Sequence, residues 1–600
     1  MKKTLVWIPV LAAMMAGCDQ RDDLFPGNFP GAEQGDWGDS GTSVEGGGVT
    51  TPESKEDDVW SNASFARTIT ITFSDETGAT VSGDGNGVVR TDGNKVTVDN
   101  SAVDETVKYV LCGSTANGYF KVYGANRQAI VLNGVSITNP SGSAINNQSK
   151  KRCFLAVYGT NSLSDGASAT YESGEEDMKA VLFSEGQLIF CGDGQLTVEA
   201  LNAAGKSAVT TDDYIYISET PVLKVDSGDK AGHGLRGKDY VRIAGGTVTV
   251  TTKAAMKKGI NSDGYVLVEG GDITVNVSGG TAWDEDEQEY TGSAGVKADN
   301  FFGMTGGTLT VTNSGNGGKG IRAGNYEYYA ENNSLNDSYV NGGTLTVTVT
   351  GSDSNDVSAK AIRIGFKEGS GRSYLYGGDF VMNGGTVVAT CSRNEALEVK
   401  GKLTVNGGDL YVTSTGDDSI NAQGELNVKG GYIHAISSAN DAIDTNCDMK
   451  LSGGFVCGIC TSGAPEVGLD ANTEGGYRLY IESGATVVAY GGLESGYSAS
   501  QDVYSMNCSA GNWNALASDS GFIAAFKLPS NISSVAVSAP SLSKGYTGVS
   551  VGETRCNGMW AADGISGGSA VSLSTYSGNQ GGPGGGGGYP GGGGRPGWPW

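Results

Sequence analysis

The sequence predicts an all-β fold in which short strands stack into a solenoid, and three observations carry this prediction. Glycine pairs followed by alternating apolar residues recur along the chain, as in Gly245–Val250 and Gly306–Val311. Where insertions are absent, the repeat length is 23 to 26 residues. No stretch shows the 3.6-residue apolar period of an amphipathic helix. Two or more short strands in a repeat of this length are typical of a stacked β-solenoid.

The alternation after each glycine pair predicts one buried face and one solvent face, because successive side chains of a strand point to opposite sides. The glycines suit tight corners with positive φ, where a Cβ is costly. Asn341, Asn383 and Asn406 precede the pair in successive repeats and predict a ladder of stacked amides. The predicted inward residues include Val248, Val250, Ile273, Val275, Leu309, Val311, Leu345, Val347, Leu410 and Val412.

A second set of short apolar motifs runs in step with the glycine pairs. Each is a small residue followed by an aliphatic one, and together they predict a second column of strands. A β-sandwich is disfavoured because it would need longer strands than these. The motifs are Ala144-Ile145, Ala208-Val209, Gly234-Leu235, Gly259-Ile260, Gly295-Val296, Gly320-Ile321, Ala361-Ile362, Ala396-Leu397, Ser419-Ile420, Ala442-Ile443 and Gly468-Leu469.

Composition excludes several classes of protein. The 98 glycines accompany only 13 prolines, which excludes a collagen-like polymer. The formal charge of −26 repels nucleic acid and attracts divalent cations, so we expect no nucleic-acid partner. Nine cysteines remain after Cys18 with irregular spacing, which is not a small disulfide framework. Oligomeric state leaves no signature in the sequence, and a monomer is expected.

The N-terminus predicts export and lipid attachment. Lys2 and Lys3 precede a short apolar run, and residues 15–18 resemble the lipobox of bacterial lipoproteins, with Cys18 as the lipidated residue. Eleven apolar residues cannot span a bilayer, which disfavours a membrane anchor. Acidic residues 19–23 resemble the surface-export signals of some lipoproteins. We therefore expect an outer-membrane lipoprotein that faces the cell exterior.

Five segments are expected in chain order. Residues 1–18 form the signal peptide, and residues 19–65, rich in Gly, Asp, Ser and Pro, form a flexible tether. Residues 66–485 form the solenoid and residues 486–575 a small C-terminal β cap. Residues 576–600 are a disordered tail of Gly and Pro, because this composition cannot bury a core.

Several ordered motifs resemble a bacterial carbohydrate-binding β-helix family. They are residues 129–145, 158–166, 234–243, 395–398, 417–421, 440–444, 522–527 and 533–545, and the resemblance extends from about residue 66 to about residue 552. It implies a polysaccharide-lyase-like, right-handed parallel β-helix of about 13 coils that carries calcium. Members of that family bind cellulose and polygalacturonate. The two aromatic insertions and the tail depart from the family pattern and leave the ligand open.

Acidic residues cluster in the last coils, next to the second set of motifs. Stacked at about 4.8 Å, their carboxylates would repel one another without a cation. Calcium prefers six to eight oxygen ligands, which such a cluster can supply. A solvated acidic face is the alternative interpretation. The predicted calcium ligands are Glu395, Glu398, Asp417, Asp418, Asn421, Asp441, Asp444 and Asp470.

Earlier coils place basic and aromatic residues at related positions. Lys297, Arg322 and Arg363 would stack and could hold uronate carboxylates, although Arg363 could equally pair with Glu398. Two insertions at one corner carry rings that either stack on sugar faces or pack against each other. A third, acidic insertion runs from Trp283 to Tyr290. The predicted carbohydrate-binding rings are Tyr326, Tyr328, Tyr329, Tyr374 and Tyr376.

Catalytic signatures are weak. His233 and His434 lie too many repeats apart to act together, and His434 falls at an outward strand position that predicts a surface residue. The leading hypothesis is therefore non-catalytic, calcium-dependent binding of acidic or cellulose-like polysaccharide. A calcium-dependent uronate lyase using Lys400 or Lys402 as base, and a structural or adhesive stalk, are the alternatives.

Overall fold

A computed structural model describes residues 42–578, apart from residues 45, 54, 172–175, 219–220, 286–287, 371–372, 530–531 and 562. The predicted signal peptide with Cys18, the acidic residues 19–23 and nearly all of the tail lie outside the described residues. Nearly all of the regular secondary structure in the described chain is β-strand, with one seven-residue helix, Tyr326–Asn332, and short 3-10 turns at Glu56–Asp58 and Trp60–Asn62. That part holds no helix with the length and apolarity needed to cross a bilayer.

Three columns of hydrogen-bonded strands form the body of the protein, and almost every pairing within them is parallel. The first column begins beside the antiparallel strand Thr80–Ser82. Its strands are Arg67–Phe73, Val107–Thr115, Gln128–Asn139, Cys153–Tyr158, Leu188–Cys191, Ile215–Ile217, Tyr240–Ile243, Tyr265–Val268, Phe302–Met304, Ser338–Val340, Phe380–Met382, Leu403–Val405, Leu426–Val428, Met449–Leu451, Leu479–Ile481 and Ser498–Ala499.

The second column branches from the long strand Gln128–Asn139, whose last residues pair with Thr160–Asp165. It contains the alternating segments that follow the glycine pairs. Its strands are Thr160–Asp165, Gln195–Ala200, Val222–Ser227, Thr247–Thr252, Asp272–Val277, Thr308–Asn313, Thr344–Val349, Thr386–Cys391, Asp409–Ser414, Tyr432–Ser437, Phe455–Cys460 and Thr486–Tyr490.

The third column is a 14-stranded sheet that contains the small-aliphatic motifs. Only its first pairing is antiparallel. Its strands are Val89–Asp92, Lys95–Asn100, Tyr119–Gly124, Ile145–Asn147, Ala180–Ser184, Ser207–Thr211, Leu235–Gly237, Lys258–Ser262, Ala294–Ala298, Lys319–Ala323, Lys360–Ile364, Leu397–Val399, Ile420–Ala422 and Ile443–Thr445.

The predicted inward residues are buried, which confirms the interpretation of the alternation. Val248 and Val250 are both 0% exposed, and they belong to one continuous apolar cluster that extends along the three columns. The second glycine of each pair has positive φ, as at Gly271 (+85°). A Cβ on Gly271 would also lie 2.7 Å from the carbonyl oxygen of Gly246 in the preceding repeat. The corners therefore require glycine both for conformation and for close stacking.

The predicted asparagine ladder is also present. Asn383 donates from Nδ2 to Oδ1 of Asn341 at 2.8 Å, and Asn406 donates to Oδ1 of Asn383 at 2.8 Å. Each amide therefore satisfies the one before it, as identical residues in register should. The ladder fixes the register of three successive repeats on their exposed side.

The N-terminal strap, residues 46–53 and 55–65, is the last part of the predicted flexible tether, and it packs on the folded body; residues 19–41 of that tether lie outside the described residues. Asp58 is 3% exposed and accepts hydrogen bonds from Arg152 Nε and Tyr214 Oη, both at 2.7 Å. Trp60 packs on Phe154 with 5.4 Å between ring centroids. These contacts join residues about ninety or more positions apart, so local composition, which is rich in Gly and Asp, could not reveal them.

The C-terminal cap begins later than the predicted residue 486, because Ser498–Ala499 still belongs to the first column. Three antiparallel strands then follow Thr486–Tyr490, and a five-stranded antiparallel sheet packs against Phe455 and Cys457. The three strands are Tyr504–Asn507, Ser534–Ser538 and Leu573–Thr575. The five strands of the sheet are Trp513–Ser518, Gly521–Lys527, Lys544–Ser550, Met559–Ala561 and Ser566–Val571.

The cap overturns the prediction that His434 is a surface residue. His434 does point out of its strand, but it is 3% exposed, and its Nδ1 lies 3.0 Å from the carbonyl oxygen of Cys556. Tyr411 packs beside it at 5.3 Å between centroids. The alternation gave the correct side of the strand, but it carried no information that residues more than a hundred positions later cover that side.

Three insertions leave the ends of the third-column strands. The hairpin formed by Ala282–Asp284 and Glu289–Thr291 precedes strand Ala294–Ala298. The helix Tyr326–Asn332 follows strand Lys319–Ala323. The hairpin formed by Phe366–Ser370 and Ser373–Gly377 follows strand Lys360–Ile364 and pairs with Thr42–Ser43. The outward face of the third column is therefore flanked by insertions at both of its edges.

Burial lowers the pKa of His434 from 6.5 to about 4, so the folded cap requires a neutral imidazole. Between pH 6.5 and pH 4 the unfolded chain binds a proton that the folded chain does not bind. The free energy of unfolding should therefore fall as the pH drops through this window, by about 3 kcal/mol from this residue.

Urea unfolding at pH 7 and pH 4.5 measures this effect. Comparison of the wild type with His434→Gln isolates the histidine, because all other titrating groups are common to both proteins. We expect a steeper loss of stability in the wild type. Equal losses in the two proteins would show that His434 does not titrate across the folding equilibrium.

Candidate functional site

Two rows of polar side chains run along the third column. In the outer row, Lys297 pairs with Arg322 and Arg322 with Arg363, and the pairing continues through Glu398 and Asn421 to Asp444. The amide of Asp470 donates to the carbonyl of Ile443 at 2.8 Å, which places Asp470 on the next repeat. The predicted vertical alignment of these residues is confirmed, and the row changes from basic to acidic between Arg363 and Glu398.

A deep row lies two residues before the aliphatic position of each motif. Lys319 pairs directly with Lys360, and they are 3% and 5% exposed. At the same position, later repeats carry Glu395, Asp418 and Asp441. The deep row therefore changes sign at the same repeat as the outer row. Sequence reasoning missed Lys319 and Lys360, although a lysine immediately before the motif in both repeats was a readable signal.

Glu398 lies at the charge inversion and is corrected as a calcium ligand. Its carboxylate is 2.5 Å from Lys360 Nζ, 2.9 Å from Lys400 Nζ and 3.1 Å from Arg363 Nε. Burial opposes its ionisation, but these three cations outweigh burial and hold the pKa of Glu398 well below its usual range. Both oxygens are already neutralised, so they are poor candidates for a metal ion. Arg363, 2% exposed, is likewise removed from the predicted carbohydrate contacts.

The basic half of the rows concentrates positive charge in a partly buried place. Burial and the neighbouring Arg363 lower the pKa of Arg322 to about 10. Burial and Lys297 lower the pKa of Lys258 to about 7. Lys297 forms an ion pair with Asp299. Because Lys297 and Arg322 are half-buried rather than enclosed, an anion approaching from solvent can reach this half.

The acidic half is linked by hydrogen bonds between repeats. Asn421 donates from Nδ2 to Asp444 at 2.8 Å and to Asp418 at 3.2 Å. The backbone amide of Asp441 donates to Asp418 Oδ1 at 2.9 Å, and Asn440 donates to Asp417 Oδ1 at 3.0 Å. The Asn421 amide thus lies between two carboxylates, and rotation of that amide would present its oxygen beside them.

These carboxylates ionise with difficulty because they are buried beside one another. Burial, then Asp417, Asp444 and Asp441, raise the pKa of Asp418 well above its usual range. Burial raises the pKa of Asp441 to about 7. Burial, then Asp444 and a hydrogen bond with Glu494, raise the pKa of Asp470 to about 10. A cation would relieve this repulsion, so the donor chemistry fits a hard divalent metal ion.

A tighter group of carboxylates lies elsewhere on the same column. Among the described residues, the group whose acidic oxygens all lie within 4.8 Å of one another is Asp177, Glu185 and Asp212. Lys179 Nζ is 2.6 Å from Asp212 and 3.0 Å from Asp177, so a lysine already balances this group. The predicted acidic half does not converge to that degree, and a bound ion would have to draw its carboxylates inward.

The two aromatic insertions on one edge pack against each other. Phe366 is fully buried, and its ring lies 5.5 Å from each of the rings of Tyr326 and Tyr329. Tyr328 Oη accepts a hydrogen bond from Asn300 at 3.1 Å. Of the two predicted interpretations, mutual packing therefore describes these contacts, although the three helix tyrosines remain half-buried rather than enclosed.

The second insertion separates its two predicted rings. Tyr376 is 3% exposed and cannot offer a face to a sugar, so its assignment to the carbohydrate contacts is corrected. Tyr374 is half-buried, and Lys367 Nζ lies 4.2 Å from its ring centroid. The strand Thr42–Ser43 covers this hairpin by pairing with Leu375 and Tyr376, a contact that no local pattern indicates.

Glu398→Gln should lower the free energy of unfolding by about 3–5 kcal/mol, because three buried cations would lose the charge that balances them. Glu395→Gln is the matched control, since burial already raises the pKa of Glu395 to about 7. Its loss should cost much less. Thermal and urea unfolding of both variants measure the difference, and equal costs would contradict the central place of Glu398.

Comparison with known proteins identifies one family and one solved structure. The sequence model of a family described as "Carbohydrate-binding domain-containing protein" matches residues 92–367 and 367–522. The solved structure is titled "Structure of the polysaccharide lyase-like protein from C. thermocellum, Gadolinium derivative". It is 21% identical, covers 43% of this chain and 94% of its own, and has a TM-score of 0.34. No curated protein matches this chain.

Proposed function

Because this chain belongs to the carbohydrate-binding domain-containing protein family, we propose that it binds acidic, uronate-containing or cellulose-like polysaccharide without catalysing its cleavage, and that calcium supports the binding. The observation that carries this proposal is the double row of the third column, which changes from basic to acidic at Lys360 and Arg363. The basic half of the rows suits sugar carboxylates, and the acidic half suits a cation.

Calcium is proposed for the acidic half without Glu398, which three cations already balance, and without Glu395, whose carboxylate lies 3.3 Å from Lys360 Nζ. The remaining ligands of the predicted set carry carboxylate or amide oxygens, which are the donors that calcium prefers. When bound, the ion would neutralise the buried carboxylates and offer open positions to a sugar carboxylate. The proposed ligands are Asp417, Asp418, Asn421, Asp441, Asp444 and Asp470.

Polysaccharide is proposed to lie along the outer row. Lys297 and Arg322 would contact uronate carboxylates, since guanidinium and carboxylate groups match in shape and charge. The half-buried rings of Tyr326, Tyr329 and Tyr374 border the same strands and would contact the sugar faces. A linear chain that follows the row meets a new coil about every 4.8 Å, which approaches the length of one sugar unit.

The proposal also includes the handedness and number of coils of the β-helix and the attachment of the protein to the outer membrane. The three parallel columns support a right-handed parallel β-helix of about 13 coils. Lipidation at Cys18, display on the outer membrane and a monomeric state would hold this helix at the cell surface as a polysaccharide receptor.

Of the two lysines predicted as a lyase base, Lys400 already has an acidic partner. A lyase base must lie beside the substrate with a free proton acceptor. Lys400 is 9% exposed, and its Nζ lies 2.9 Å from Glu398. It therefore balances the charge of Glu398 and is not available as a base. Ultraviolet absorbance during incubation with polygalacturonate and calcium would detect unsaturated products, and their appearance would replace binding by lysis as the function.

Calcium should stabilise the protein, because binding to the folded state alone shifts the unfolding equilibrium. We expect a chelator to lower the melting temperature and calcium to restore it. Asp418→Asn should weaken calcium binding about tenfold or more by removing one charged ligand. The control Asp272→Asn removes an exposed carboxylate outside both rows and should change nothing. A melting temperature that changes neither with chelator nor with added calcium would exclude the proposed ion.

Isothermal titration with hexagalacturonate in the presence of calcium tests the polysaccharide proposal. Arg322→Gln should lower the affinity about tenfold, through loss of a charge-assisted contact. Arg90→Gln is the matched control, because Arg90 is an exposed arginine on the first strand of the same column. Unchanged affinity of the Arg322 variant, or an equal loss in both variants, would rule out the basic half as the contact surface.

A further inference from the structure

One aromatic pair remains unexplained by the contacts described so far. Trp283 and Tyr290 face each other across the hairpin, and they are 43% and 41% exposed. Their rings meet edge to face, with centroids 5.3 Å apart and planes at 77°. This geometry leaves ring surface open to solvent. The described residues include few other large apolar side chains that are so exposed, namely Val49, Val59, Leu201, Val222 and Tyr477.

The hairpin is held in place rather than loosely attached. Thr281, at its base, shares a hydrogen bond of 3.0 Å with Ser354, and Asn355 donates to Thr281 at 3.0 Å. These partners belong to the loop that precedes strand Lys360–Ile364, two strands further along the third column. The base of the hairpin is therefore anchored to the loop that leads into strand Lys360–Ile364, and an anchored hairpin loses less conformational entropy on binding than a free loop would.

The hairpin that carries the pair lies at the edge of the third column opposite to the other two insertions. The hairpin ends just before strand Ala294–Ala298, which carries Lys297. The helix Tyr326–Asn332 and the second hairpin leave from the opposite edge of the neighbouring strands. Aromatic insertions therefore leave both edges of the third column near the start of the outer row.

The acidic residues of the hairpin indicate which kind of sugar would bind there. Asp284, Glu285 and Glu289 accompany the two rings on the same hairpin. Glu285 is exposed, so it would repel a uronate carboxylate but can accept a hydrogen bond from a hydroxyl group of an uncharged sugar. An exposed indole and phenol suit the apolar C–H face of a pyranose ring. Neutral hexopyranose units fit this surface, whereas uronates fit the adjacent basic half.

We propose that Trp283 and Tyr290 form a separate contact site for neutral pyranose units of the bound polysaccharide, beside the uronate contacts of Lys297 and Arg322. This inference rests on the proposed polysaccharide-binding function and assigns the contacts with uncharged sugar units to two residues outside the outer and deep rows. The receptor would then prefer chains that combine uncharged and acidic sugars, because only such chains satisfy both surfaces at once.

Calorimetric titration of the mature chain with two probes tests the inference. Cellohexaose carries no charge, and hexagalacturonate carries one carboxylate per unit. The double variant Trp283→Ala, Tyr290→Ala should bind cellohexaose roughly tenfold more weakly and hexagalacturonate with unchanged affinity. The matched control is Tyr477→Ala, because Tyr477 is a 41% exposed ring far along the chain from the hairpin. Melting temperatures verify that each variant folds.

Each outcome decides between the two proposals. Selective loss of cellohexaose binding supports the neutral site. Equal losses of both probes, an equal loss in the Tyr477 variant, or no binding of cellohexaose by the wild type would each overturn it. Failure of the wild type to bind hexagalacturonate would instead overturn the proposed function of the basic half, and the cellohexaose results would still decide the role of Trp283 and Tyr290.

Discussion

Parallel pairing in register is the constraint on which the rest of this structure depends. Each repeat places its residues directly beside the equivalent residues of the previous repeat, about 4.8 Å away. Identical side chains then either satisfy one another, as Asn341, Asn383 and Asn406 do, or oppose one another. Apolar residues gain from this arrangement, because one stripe becomes a continuous core. Charged residues do not, and their stacking must be balanced by other groups.

The balance is visible where the rows change sign. Glu398 is surrounded by Lys360, Arg363 and Lys400. It lies where the basic half of the outer row meets the acidic half. On either side of this network, like charges remain stacked and partly buried. Like charges that fold close together commonly mark places where a ligand of opposite charge completes the balance. The same stacking that builds the core thus creates two adjacent surfaces with opposite preferences.

Sequence patterns correctly predicted the features that depend on the period of the repeat. They failed for residues whose surroundings include segments that are distant in sequence. The inward valines, the glycine corners, the asparagine ladder and the alignment of Lys297 with Arg322 follow from period and register alone. His434 was misjudged because the cap lies over it, and Tyr376 is buried in a hairpin whose pairing with the distant strand Thr42–Ser43 no local pattern indicates. Asp58 was assigned to a tether because Arg152, with which it forms an ion pair, is far away in sequence. Glu398 was predicted as a metal ligand because, although the register offered Arg363 as a partner, the contacts of Lys360 and Lys400 with its carboxylate are visible only in three dimensions.

Crystallography with calcium and a uronate oligosaccharide, using anomalous scattering to locate the ion, tests the central claim most directly. The stacked rows predict an anomalous peak among Asp418, Asp441, Asp444 and Asp470, with a sugar carboxylate between that peak and Arg322. A peak only beside Asp177 and Asp212, or an oligosaccharide bound away from the third column, would contradict the claim that charge inversion along this column creates the binding surface.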